Sequence, residues 1–153
     1  MTDREICIAA REMARQSGAC EPVLSKWSDD ADIDELLDLY IRTFDFATEK
    51  DFPPLEFMSR NLRTEDLHRH NIYLNEEVQI ADAENGYYVF LGRCTGTLWV
   101  NGLKAVTVLV RHDSIINVEA FDGARVQVRY YDNSDGVCKS DSYSRVKKIV
   151  RNV

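Results

Sequence analysis

The chain has 153 residues, 44% apolar and 29% charged, with a net charge of −7. That is the length of one ordinary domain, and its balance is that of a soluble globular protein. No apolar run approaches the 18 residues of a membrane span, and residues 1–76 carry a net −8 against +1 for residues 77–153. Such an acidic front half excludes general nucleic-acid binding, which needs phosphates to be neutralised.

The opening residues, MTDREICIAAREMARQ, place acids on either side of their apolar positions and show no signal-peptide core. A cytoplasmic protein is expected. Cys7, Cys20, Cys94 and Cys138 are scattered without a CxxC pair, so reduced thiols rather than a zinc site or disulfides are expected.

The first seventy residues follow the helical period. Thr2 and Glu5 form a capping box ahead of Ile6, Ala9, Ala10 and Met13, and Gly18 supplies a stop. A second helix opens in SDDADIDE, where acids suit the helix dipole, and continues through an apolar stripe of Ile33, Leu36, Leu37, Tyr40, Ile41 and Phe44. Pro53 and Pro54 precede a short third helix through Leu55, Phe57 and Met58, and RTEDLHRHN reads as the exit from the helical region.

From Ile72 the period becomes two, and the alternation itself repeats every 20 residues. Val78, Leu98, Val118 and Cys138 form one column, and Ile80, Val100, Ala120 and Ser140 the next. Gly86, Val106, Val126 and Val146 follow, then Tyr88, Val108, Val128 and Lys148, then Phe90, Val110, Tyr130 and Val150. Seventeen of these twenty positions are apolar, well above what a 44% composition supplies.

A fixed period of this length marks a solenoid, in which each coil buries its apolar row against the next. The expected fold class is therefore α+β: a helical N-terminal region (residues 1–71) packed on a β region (residues 72–153) built as a short parallel β-helix. The four coils would be 76–95, 96–115, 116–135 and 136–153. Asn101-Gly102 and Asp122-Gly123 turn corners within a coil, Ser114 and Ser134 lie at the seams, and the stripe 33–44 covers an apolar outer face. The rival is an antiparallel meander or sandwich, since Asn-Gly and Asp-Gly between alternating runs are also hairpin signals. The two regions are expected to form one compact unit.

Chemical motifs are sparse. His68 and His70 read as a surface loop rather than metal ligands, and Asp30, Asp32 and Asp34 read as a helix start, because Glu35 and Ile41 stand where a calcium loop needs Gly and Glu. Cys94, in GRCTG, aligns with Ser114 and Ser134 as a small corner residue. No metal, cofactor or catalytic residue is assigned. The basic run SRVKKIVRN reads as a solvated strand face.

The function expected is non-enzymatic: a scaffold or interaction protein that self-associates or captures a protein partner. Its surface would be the C-terminal coil or an outer face bearing Trp99, Arg111, Glu119, Arg129 and Tyr131. At the level of the fold alone, the coils resemble those of pectate-lyase-type proteins. That resemblance implies an alternative, a carbohydrate-binding or polysaccharide-cleaving module. In it Arg111, Arg129, Glu119, Asp113 and Asp132 would supply the charges, and exposed Trp99 and Tyr131 the stacking faces. Neither a nucleic-acid nor a membrane partner is expected.

Overall fold

A computed structural model describes residues 1–28 and 30–151, so Asp29 of the acidic run and the last two positions of the fourth coil lie outside it. The chain divides into two units, residues 1–70 and 71–153.

In the first unit, α1 (Asp3–Gln16) carries the capping box in full: Thr2 accepts from the Glu5 amide and Glu5 accepts from the Thr2 amide. Its buried face is Ile6, Cys7, Ala10 and Ala14. Then come α2 (Glu21–Ser25), α3 (Ile33–Arg42), α4 (Phe44–Glu49), α5 (Leu55–Asn61) and α6 (Thr64–Arg69). The acidic run is a helix start, with Asp32 capping α3 through the Glu35 amide at 2.8 Å.

The stripe expected over 33–44 is broken at Thr43. There the side-chain hydroxyl donates to the Leu39 carbonyl at 2.7 Å, competing with the helix ladder, and the chain restarts as α4. The segment expected to be an exit loop is α6. Asp66, only 5% exposed, accepts from Arg63 Nε and Arg69 Nη2 at 3.1 and 2.6 Å while Leu67 is buried beside it. His68 therefore lies on a helix and His70 caps it. Among the described residues no helix is long and apolar enough to cross a membrane.

The second unit is a β-solenoid of roughly four turns. Its strands are β1 (Ile72–Leu74), β2 (Glu77–Ile80), β3 (Gly86–Leu91), β4 (Thr95–Asn101), β5 (Ala105–Val110), β6 (Ile115–Phe121), β7 (Arg125–Tyr131), β8 (Cys138–Ser140) and β9 (Arg145–Arg151). Odd strands form a five-stranded sheet in the order β1-β3-β5-β7-β9, and even strands a four-stranded sheet in the order β2-β4-β6-β8. Every pairing is parallel, which excludes the meander.

From β3 onward the register holds at 20 residues, with Val108 beside Val128, Leu98 beside Val118 and Val126 beside Val146. The first coil departs from the expected columns: Ile80, not Val78, pairs with Leu98, and Val78 pairs with Gly96. Two residues fewer separate β2 from β3 than separate the matching positions of β4 and β5, so the shift is even. Both side chains therefore keep their inward face.

The inward rows close on one another. Leu98, Val100, Val108, Val110, Val118, Ala120 and Val128 are fully buried, and Tyr73 stacks on Phe90 with ring centres 5.3 Å apart. Each such valine or leucine side chain contributes on the order of 1.5–3 kcal/mol over its exposed state.

Polar side chains repeat at the same spacing. At one corner Asn75, Gly92, His112 and Asp132 all take positive φ. His112 Nδ1 accepts from the Gly92 amide at 2.9 Å, and Asp132 accepts from the His112 amide at 3.0 Å. Just after them, Ser114 Oγ accepts from the Cys94 amide at 3.0 Å and donates to the Gly92 carbonyl at 3.0 Å, while Ser134 Oγ donates to the Val110 carbonyl at 2.9 Å. These bonds satisfy the backbone groups that the turns leave unpaired.

Candidate interaction surface

The five residues singled out in the sequence do not form one surface. Trp99 (β4) and Glu119 (β6) face outward from the four-stranded sheet and are joined: Trp99 Nε1 donates to Glu119 Oε2 at 2.9 Å. Arg129 and Tyr131 belong to β7 of the five-stranded sheet, and Arg111 follows β5 in that same sheet.

Two of these placements correct the expectation of exposure. Tyr131 is 1% exposed and Arg111 4%, with Arg111 Nε held by Asp132 at 3.1 Å. Alternation shows that a side chain points away from the coil core, but not that it meets solvent. Trp99 and Arg129 are half-buried. The aromatic pair proposed to stack on a sugar thus sits on two different sheets, one member buried.

Cys94 is fully buried, and its thiol donates to the Leu91 carbonyl at 3.3 Å. Burial raises its pKa above the ordinary thiol value, the reverse of what a nucleophile needs. Its alignment with Ser114 and Ser134 explains its size. Among the described residues no cluster of three metal-ligating side chains occurs.

The open part of the solenoid is its fourth coil. Positions sealed in the coil before it are accessible here. Tyr130 is 1% exposed but its column neighbour Val150 is 63% exposed; Val128 is fully buried but Lys148 is exposed. Val146 and Cys138 are half-buried and Ser140 is exposed. Among the described residues no strand pairs with the far side of β9.

That strand reads RVKKIVR, four cations and no acid. Its outward side chains extend ladders on the five-stranded sheet: Arg145 lies beside Arg125, Lys147 beside Gln127, Ile149 beside Arg129 and Arg151 beside Tyr131. Arg125, Arg145 and Lys147 border a shallow groove of about 390 Å³ that continues past Gln127 and Thr107 to Tyr87. The basic run is the solvated strand face expected of it, with Arg145, Lys147, Lys148 and Arg151 all exposed. The 20-residue period also sets Arg125 beside Arg145 as surely as it sets Val126 beside Val146.

No protein-family model, curated protein or solved structure matches the chain.

Proposed function

We propose that this is a non-enzymatic interaction protein whose solenoid captures an extended segment of another polypeptide along β9. The observation carrying this reading is the half-open core row of the fourth coil beside a strand that, among the described residues, lacks a neighbour on one side. A strand with free amides and carbonyls is a template for one more strand, and the added backbone bonds give affinity while alternate side chains give specificity.

Charge selects the occupant. A two-fold contact between copies would set one β9 against another, cation against cation. Head-to-tail stacking would need the β1 edge, where Ile72 is fully buried. An acidic segment of a different chain meets neither objection. The reading takes the protein as cytoplasmic, in keeping with four free cysteines.

The test is selection of a displayed decapeptide library on the intact chain. Enriched peptides are then measured against a Val146→Glu, Val150→Glu variant, which places charge on the inward row of β9. Enriched peptides should bind the variant at least about tenfold more weakly, while light scattering gives the chain one mass at all concentrations. Equal binding to both proteins overturns the reading. A mass that rises with concentration and is reset by the variant gives the edge to a second copy instead.

A further inference from the structure

The proposed capture leaves open which acidic segments would fit, and the ladders bear on that. We infer that β9 selects a seven-residue segment lying parallel to Arg145–Arg151, with carboxylates at its first, third and seventh positions and aliphatic side chains at its second, fifth and sixth. This inference rests on the strand-capture reading above.

The rule it extends is the register of the five-stranded sheet. Each neighbouring pair there is parallel, and from β3 on each residue lies beside the one 20 positions later, so every column keeps its face. A further strand would continue those columns. Its outward side chains would stand beside Arg145, Lys147, Ile149 and Arg151, and its inward ones beside Val146, Lys148 and Val150.

Neighbours within a column, on adjacent strands, lie about 4.8 Å apart, close enough for charges on one face to interact strongly. The free protein holds Arg125 directly beside Arg145, a like-charge pair that opposes folding. None of the ion pairs formed among the described residues involves Arg145 or Lys147. Arg125 is held back by donating to the Tyr143 carbonyl at 3.1 Å. A carboxylate on the open side of Arg145 would relieve the repulsion, and a second would answer Lys147.

Lys148 is different. Its Nζ already donates to Gly136 O at 2.8 Å and to Asp135 Oδ1 at 3.2 Å, so the fourth position of the segment needs no charge. Ile149 faces outward among cations and calls for an aliphatic neighbour at the fifth position. Val146 and Val150 call for the same at the second and sixth, where burial would close the half-open core.

The test uses fluorescence anisotropy of labelled peptides with the intact chain. The probes are Asp-Val-Glu-Ser-Ile-Val-Glu, its neutral counterpart Asn-Val-Gln-Ser-Ile-Val-Gln, and the scramble Val-Glu-Ile-Asp-Glu-Ser-Val, which breaks the rule at all six specified positions. A fourth peptide carries lysine at the first and third positions. The acidic probe should bind at least about tenfold more tightly than either control. An Arg145→Glu, Lys147→Glu protein, changed only at outward positions, should lose the acidic probe and gain the lysine peptide.

Equal binding of probe and scramble overturns the positional rule and leaves capture of acidic segments standing. Equal binding of probe and neutral peptide overturns the acidic class and leaves strand capture standing. If none of the peptides binds, both this inference and the strand-capture reading fall.

Discussion

The ammonium of Lys148, on the fourth coil, stands over the ring of Tyr130 in the third, 5.2 Å from its centre. Below it, Tyr130 Oη donates to the Ile116 carbonyl at 2.7 Å, so the ring is fixed before the lysine covers it. Lys148 occupies the inward position beside Val128. An inward-pointing charge on an edge strand is a device that keeps like edges apart. Replacing it by the column's own residue, Lys148→Val, should change stability by no more than about 1 kcal/mol. It should also make the mass, constant for the wild type, rise with concentration. Light scattering across a dilution series checks this, and unchanged mass at every concentration would mean that the lysine guards nothing.

Val128 and Gln127 are adjacent on β7 and face opposite ways, Val128 fully buried and Gln127 partly open. Val128→Lys leaves an unpaired charge in the coil core, a loss on the order of 3–5 kcal/mol. Gln127→Lys should stay within about 1 kcal/mol. The same lysine is tolerated one coil on, at position 148, because its side chain there is 40% exposed and paired with Asp135. Urea unfolding of the two variants separates them. Equal midpoints would mean the faces are assigned the wrong way round.

Gly136 lies where a Cβ would collide with the Ile116 carbonyl oxygen and come within 2.6 Å of Tyr130 Oη. Those two atoms are hydrogen-bonded partners, so Gly136→Ala drives a methyl group between them, at a cost of about 2–3 kcal/mol. At Gly102 a Cβ meets nothing within 4 Å, and only its φ of +86° resists substitution. Gly102→Ala should therefore lose about 1–2 kcal/mol, the strain of a left-handed backbone. If Gly136→Ala unfolds no earlier than Gly102→Ala, the approach of adjacent coils at β8 is looser than described.

The four thiols should differ sharply in reactivity. Cys20 is exposed, whereas Cys7 and Cys94 are buried. Cys7 is pushed up to about 11 by burial, with Asp32, Asp3 and Glu35 adding to the effect. Under native conditions near pH 8, a thiol reagent should label Cys20 promptly and reach Cys7 and Cys94 only through opening of the fold. Cys94→Ser, which supplies the side chain its column carries at 114 and 134, should be nearly neutral. Rapid native labelling of Cys94 would contradict the packing at that seam.

How far the fold could be read from the chain depended on length of pattern. The inward columns were legible because one residue per coil repeats at a fixed interval: Val108 and Val128 are partners as their spacing required. Val78 and Ile80 were misplaced because the first corner is two residues short, and no local signal marks a missing pair. The helices α2, α4 and α6 went unread since five or six residues are too few to show a stripe. The candidate surface was legible only in outline. The repeat suggested two surfaces, the C-terminal coil and an outer face, and the outer face fails at Arg111 and Tyr131 because alternation gives a side chain's direction and not its exposure. The ladder of Arg125 and Arg145 needed the register, applied to the outward face as strictly as to the core.

The helical unit carries a pH dependence that can be assigned to one carboxylate. Asp34 accepts from His70 Nε2 at 2.7 Å and from Arg69 Nη2 at 3.1 Å, while His70 Nδ1 lies 3.1 Å from Asp38. The hydrogen bond from His70 first, then that from Arg69, holds the Asp34 carboxyl below the ordinary carboxylate range. A carboxyl depressed in the folded state stabilises it fully above the unfolded value, near about 4. That contribution is lost as pH falls through the lower folded value. Asp34→Asn removes the titrating group, so wild type and variant should differ most near neutrality, and the gap should narrow as pH falls below about 4. Far-UV circular dichroism of urea unfolding at stepped pH measures the gap. If it does not narrow at any pH below about 4 at which the chain still folds, the link between α3 and the end of α6 contributes nothing through this charge.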